Sequence, residues 1–142
     1  MKLILPTIEK AKLSAHARDC WPEEACALLV GAGSDDARRV TRSVLTANIA
    51  DNPARAFEVD PAARLRLEKE LMEKPEELIG IFHSHPEGPA APSASDADAV
   101  MEPDLFWLIA AVDRSGMRHL AAFKPRKNGA GFDPVSLNIS DS

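Results

Sequence analysis

Apolar residues in this chain come in short blocks whose period changes from block to block. Residues 25–30, ACALLV, are apolar without a break and run into Gly31, Ala32 and Gly33. That predicts a buried strand followed by a turn. Upstream, Thr7 is placed as the N-cap of a helix running to about Cys20, with Ile8, Leu13 and Ala17 on its inner face. Trp21-Pro22 ends it, because proline disfavours helix for the residue before it. Residues 39–46 alternate loosely through Val40, Thr41, Val44 and Leu45, a second strand, and Phe57, Glu58 and Val59 form a further short one. Asp60 and Pro61 mark a helix start, cap and then first helical position. The helix is predicted over 62–74, with Leu67 and Leu71 stacked, Leu65 and Met72 flanking, and Pro75 as the stop. Residues 78–85, LIGIFHSH, read as a strand, 86–92 as a proline-rich loop, and 93–101 as a short helix. Residues 105–112 and 119–123 predict a hairpin about Arg114, Ser115 and Gly116, and a last strand lies within 135–139. Strands outnumber helices, which predicts an α+β or mixed α/β fold with the sheet flanked by helices.

Composition narrows the classes. A chain of 142 residues fits one domain, expected over 1–142, and 45% apolar residues suffice for a core. The net charge is -5, and the densest basic group is only Lys124, Arg126 and Lys127. Nucleic-acid binding needs a basic stripe that neutralises phosphates, so no such partner is expected; a basic turn between strands accounts for the group. The longest apolar run, 105–112, is far short of the about 20 residues of a membrane span. The N-terminus lacks an apolar stretch of signal-peptide length, and the expected location is the cytoplasm, with no membrane partner. Cys20 and Cys26 match no zinc pattern and read as thiols rather than a bridge. The oligomeric state is open.

The chemistry gathers at the end of the 78–85 strand. His83 and His85 are two apart, and strand side chains at i and i+2 point the same way, so both imidazoles can reach one ion. Alone, the pair reads equally as two histidines on a half-exposed strand end. The stiff loop then brings the chain round to Asp96 in the first turn of the next helix. Two histidines and one carboxylate make a three-ligand set with an open fourth position, the catalytic rather than the structural arrangement for zinc. Ser93 and Asp96 also have the spacing of a capping box, with Ser93 as N-cap. The two readings are compatible. Hydrolysis further needs a group to take the attacking water's proton. Glu23, Glu24, Glu87 and Asp98 are the candidates, and spacing alone does not choose among them.

His83-Ser84-His85-Pro86, followed by Ser93 and Asp96, resembles the JAMM (MPN+) signature H-x-H-x7-S-x2-D at every fixed position. Residues 22–31, PEEACALLVG, are similar to that family's P-x-E-x-C-G-L-L-x-G, with Ala27 where the family has glycine. Asn48 and the run 57–61, FEVDP, also look like family landmarks. The resemblance implies a curved mixed sheet flanked by helices, cytidine-deaminase-like in outline. It implies that His83, His85 and Asp96 bind Zn2+, that Glu24 rather than Glu23 is the base, and that Ser93 donates to the oxyanion.

The length resembles the stand-alone prokaryotic branch. That implies a zinc metallopeptidase or isopeptidase cutting after the C-terminal Gly-Gly of a ubiquitin-like or sulfur-carrier protein. A general ubiquitin-like isopeptidase and a cell-wall or phage-related peptidase are the alternatives. A metal-binding scaffold that cuts nothing is the non-enzymatic one.

Overall fold

The computed structural model describes residues 1–34, 36–100 and 102–141. Its elements are β1 (Lys2–Pro6), α1 (Thr7–Cys20), β2 (Cys26–Ser34), β3 (Ala37–Thr46), α2 (Pro61–Leu71), β4 (Glu77–Pro86), α3 (Ala94–Ala99), β5 (Phe106–Asp113), β6 (Gly116–Pro125) and β7 (Phe132–Ser140). The fold is mixed α/β, and the strand order β1-β3-β2-β4-β5-β6-β7 closes on itself. The expectation of a curved mixed sheet flanked by helices did not include this closure, and β1 causes it. This five-residue strand, unread in the sequence because it is short and ends in Pro6, pairs in parallel with both β3 and β7. It joins the two ends of the sheet, covering Ala37, Arg38 and Arg39 of β3 on one side and residues 136–140 of β7 on the other.

Both faces of the sheet are covered along β2. Ala25, Ala27 and Leu29 lie in an inner cluster with Leu13 and Ala17 of α1, Leu3 and Leu5 of β1, and Phe82. Helix α1 packs against β1, β3, β5, β6 and β7, so the sheet curls around it. Leu28 and Val30 face outward against Leu67 and Leu71 of α2. Burying such leucines contributes on the order of 2 kcal/mol each. Double burial is why this strand reads as a continuous apolar run and not as an alternation.

Several local expectations shift. Pro6, not Thr7, occupies the N-cap of α1, because the chain passes from β1 into the helix without a loop. The Thr7 hydroxyl instead donates to the Ser140 carbonyl (3.0 Å). Ile8 is exposed, leaving Leu13 and Ala17 as the inner face. The glycines at 31 and 33 do not turn the chain; β2 continues through them to Ser34, with a bulge between Val30 and Gly31. Gly31 has no room for a Cβ against the Arg39 carbonyl and the Ile79 side chain. The 57–59 strand shrinks to one bridge between Asn48 and Val59. Helix α2 is capped by Asp60, whose carboxylate accepts from the Ala62 N–H (2.9 Å), but it ends at Leu71. Leu65 and Met72 are exposed. Helix α3 is shorter than expected, and its predicted end, Met101, lies outside the described residues. Strands β6 and β7 are each longer than their predicted cores at both ends. The basic group lies at and just after the end of β6, where Arg126 pairs with Asp133 of β7 (2.9 Å). Arg64 of α2 donates to Glu102 (2.7 Å), fastening the chain beyond α3 to the outer layer. Among the described residues, no helix is long and apolar enough to cross a membrane.

Candidate metal centre

Strand β4 lies between β2 and β5. Its alternation sends Phe82 into the inner cluster and Ile81 to the outer one, and therefore puts His83 and His85 together on the outer face. Their Nε2 atoms are 3.0 Å apart. The Asp96 carboxylate meets both, Oδ1 at 3.2 Å from His83 Nε2 and Oδ2 at 3.0 Å from His85 Nε2. All three residues are buried. Asp96 is delivered by the start of α3. The Ser93 N–H donates to Asp96 Oδ2 (2.8 Å), and the Asp96 N–H donates to Ser93 Oγ (3.1 Å). Ser93 is exposed, and the cap uses only an Oγ lone pair, so its hydroxyl proton is not consumed.

Two imidazole nitrogens and a carboxylate this close together are a donor set a divalent ion such as zinc accepts. Metal–ligand bonds of about 2.0–2.1 Å put neighbouring ligand atoms about 3.3 Å apart, near the 3.0 Å between the two Nε2 atoms, while Asp96 approaches the two rings through different oxygens. His85 Nδ1 lies 2.9 Å from the Pro89 carbonyl. A carbonyl only accepts, so that nitrogen carries the proton and the neutral ring turns its Nε2 lone pair toward the centre. Burial disfavours charge on His85, but hydrogen bonds to Asp96 and Pro89 more than offset this and raise its pKa. Fully buried His83 goes the other way: desolvation lowers it despite Asp96. Burial alone would raise Asp96, yet the hydrogen bonds from His83 and His85 hold it well below the usual carboxylate range.

Of the four carboxylates considered, Glu24 is brought to the histidines. One ligand atom each from Glu24, His83 and His85 lie within 4.8 Å of one another. Glu24 is buried, and its Oε1 has no hydrogen-bond partner. Burial, reinforced by Asp96 and opposed by His85, pushes its pKa up to about 7. Glu23 and Glu87 are exposed, and the Asp98 side chain lies outside the described residues. The Glu24 backbone is held on each side. Its N–H donates to the Pro53 carbonyl (2.7 Å), and the next N–H, of Ala25, donates to buried Ser84 Oγ (2.8 Å).

Two aromatic neighbours, whose contact with His83 the sequence does not show, complete the site. Phe57 stacks on His83 (4.2 Å between centroids, 17° between planes), and Trp107 meets the same ring edge-on at 5.3 Å. No spacing signal links these residues to His83; Phe57 comes from a loop and Trp107 from β5. Glu87, in the loop after β4, has a left-handed φ of 59°, and its N–H donates to the Val112 carbonyl (2.7 Å). Cys26 pairs with His83 in register, but its thiol bonds Thr46 Oγ1 (3.3 Å). Burial raises the pKa of both cysteines, which are free thiols. His119 is exposed on β6, and His16 Nε2 faces the Cys26 carbonyl (3.0 Å). A cavity of about 640 Å³ lies elsewhere, between Met1, Asp104, Lys124, Lys127 and Asp133, and the described residues that line it include no histidine or cysteine.

Residues 9–123 match the family model of prokaryotic homologues of the JAB domain. A desampylase of Haloferax volcanii is 32% identical over 116 residues, 79% of this chain and 82% of that protein. A CysO-cysteine peptidase of Mycobacterium tuberculosis is 26% identical over 123 residues, 87% of this chain and 82% of that protein. The solution structure of a protein from Desulfitobacterium hafniense superposes with a TM-score of 0.86 at 30% identity, covering 99% of this chain and 94% of that one.

Proposed function

The chain belongs to the family of prokaryotic JAB-domain proteins, and from that premise we propose that it is a zinc-dependent peptidase or isopeptidase. Its substrate is a ubiquitin-like or sulfur-carrier protein, cut after the C-terminal Gly-Gly. The desampylase and the CysO-cysteine peptidase among its relatives support this substrate class. We read 1–142 as one such domain, working in the cytoplasm, its sheet cytidine-deaminase-like in outline with the edges joined through β1.

His83, His85 and Asp96 would hold the zinc. When bound, zinc supplies a Lewis acid for the scissile carbonyl and makes a bound water acidic enough to ionise near neutral pH. The observation that carries the reading is Glu24, a buried carboxylate beside both histidines with one oxygen unpartnered. Its free lone pairs suit it to take the proton of the attacking water and deliver it to the leaving amine. The Ser93 hydroxyl, left free to donate by its cap, would stabilise the oxyanion of the tetrahedral intermediate. Buried Asp96, and half-buried Phe57 stacked on His83, would keep the ligand rings from swinging away.

The test is incubation of the zinc-loaded protein with a folded carrier extended beyond its Gly-Gly, followed by mass. The expected result is loss of the extension, sharply slowed when either glycine is alanine. Equal rates on the alanine variants or on unfolded peptides would indicate a general peptidase; no cleavage by the metal-loaded protein would indicate a scaffold.

A further inference from the structure

We propose that Asn48 is a positioning residue that aligns Glu24 and the Phe57 cover of His83 with the metal centre. The proposal rests on the reading of Glu24 as the base. Asn48 lies just past β3, and its amide bonds main-chain groups from two directions. Nδ2 donates to the Glu24 carbonyl (2.9 Å) and the Ala56 carbonyl (2.9 Å), with the Pro53 carbonyl at 3.4 Å. Oδ1 accepts from the N–H of Glu58 (3.0 Å) and of Ala50 (3.1 Å). These partners fix the amide's orientation, since flipping it would set the NH2 against two N–H donors.

A side chain that only stapled a turn would need the bonds to Ala50 and Glu58. The bond to Glu24, 24 positions away in sequence, serves no turn. It ties the carbonyl of the base to the loop whose Phe57 ring covers His83. The Glu24 N–H to Pro53 bond links the same two segments a second time, and Ser84, between the two histidines, holds Ala25 from the other side. Glu24 is thus held between the strand that carries the histidines and the Asn48 amide. Only a residue with both donor and acceptor at this reach serves: aspartate lacks the donors, and glutamine is one methylene too long.

Asn48→Asp keeps the shape and the Oδ1 acceptor but turns an oxygen toward the Glu24 and Ala56 carbonyls. The expected result on the extended carrier is a fall in kcat of roughly 10- to 100-fold, the usual cost of losing an outer-shell partner, with KM little changed and one zinc per chain retained. Two readouts are independent of turnover. Hydrogen exchange of the Glu24 amide should speed up, and, in a Trp21→Phe background, Trp107 emission should shift to the red as Phe57 leaves. Wild-type kcat with unchanged exchange and emission would overturn the proposal, as would a change in KM alone. Should Asn48→Asp lose its cooperative unfolding transition, Asn48→Ser, with one hydroxyl in place of the amide, decides by the same criteria. If the wild type cleaves no carrier, the proposed function fails, while exchange and emission still decide the role of Asn48.

Discussion

Ser93 and Asp96 hold each other at the head of α3, and the same Asp96 oxygen that accepts the Ser93 N–H at 2.8 Å lies 3.0 Å from His85 Nε2. One carboxylate therefore closes the capping box of α3 and stands in the candidate donor set. Ser93→Ala removes the Oγ acceptor of the Asp96 N–H and should cost about 1 kcal/mol of stability. Because Asp96 loses one of its constraints, zinc affinity should fall as well, apart from any effect on turnover. Thermal unfolding and chelator competition measure the two; an unchanged zinc affinity would mean the cap and the ligand act independently.

Zinc content tests the donor set directly. The purified protein should carry one zinc per chain, and His83→Ala, His85→Ala or Asp96→Ala should each bring it close to zero. His16→Ala and His119→Ala should retain it, since His16 faces the Cys26 carbonyl and His119 is exposed two strands away from His85. Metal that survives in the first three variants, measured by elemental analysis, would refute the assignment.

Glu23 and Glu24 are adjacent, but only Glu24 is buried beside the two histidines, which makes them a matched pair. Glu24→Gln should keep zinc and fold but lose turnover by roughly 10²- to 10⁴-fold, because the amide cannot accept a proton. Glu23→Gln should stay near wild type. A reversed result, read from kcat, would place the base one residue earlier.

Glu87 supplies a stability test away from the chemistry. Its left-handed backbone costs a non-glycine residue about 1–2 kcal/mol, whereas glycine adds about 0.5–1 kcal/mol of unfolded-state entropy. Glu87→Gly should therefore stabilise by roughly 0.5–1 kcal/mol, seen as a rise in Tm of a few degrees. A lower Tm would show that the Glu87 side chain has a role its exposure does not reveal.

Much of this protein follows from local rules that a sequence exposes. The period of two puts His83 and His85 on one face whatever packs around them. The Ser93–Asp96 spacing specifies a capping box, and Asp60-Pro61 a helix start, because each depends on backbone groups within three residues. Contacts between distant segments obey no such rule. Sequence spacing does not separate Glu23 from Glu24; burial against β4 and the Pro53 loop does. Nor does it show that Phe57 covers His83, that Asn48 reaches back to Glu24, or that Lys2–Pro6 closes the sheet, since each depends on where a loop or strand returns in space. The same return carries Thr7 to Ser140 and away from its expected cap. Local hydrogen bonding and side-chain alternation were written in the chain, while the surroundings of the donor set were decided by tertiary packing, because burial and long-range partners are properties of the closed sheet.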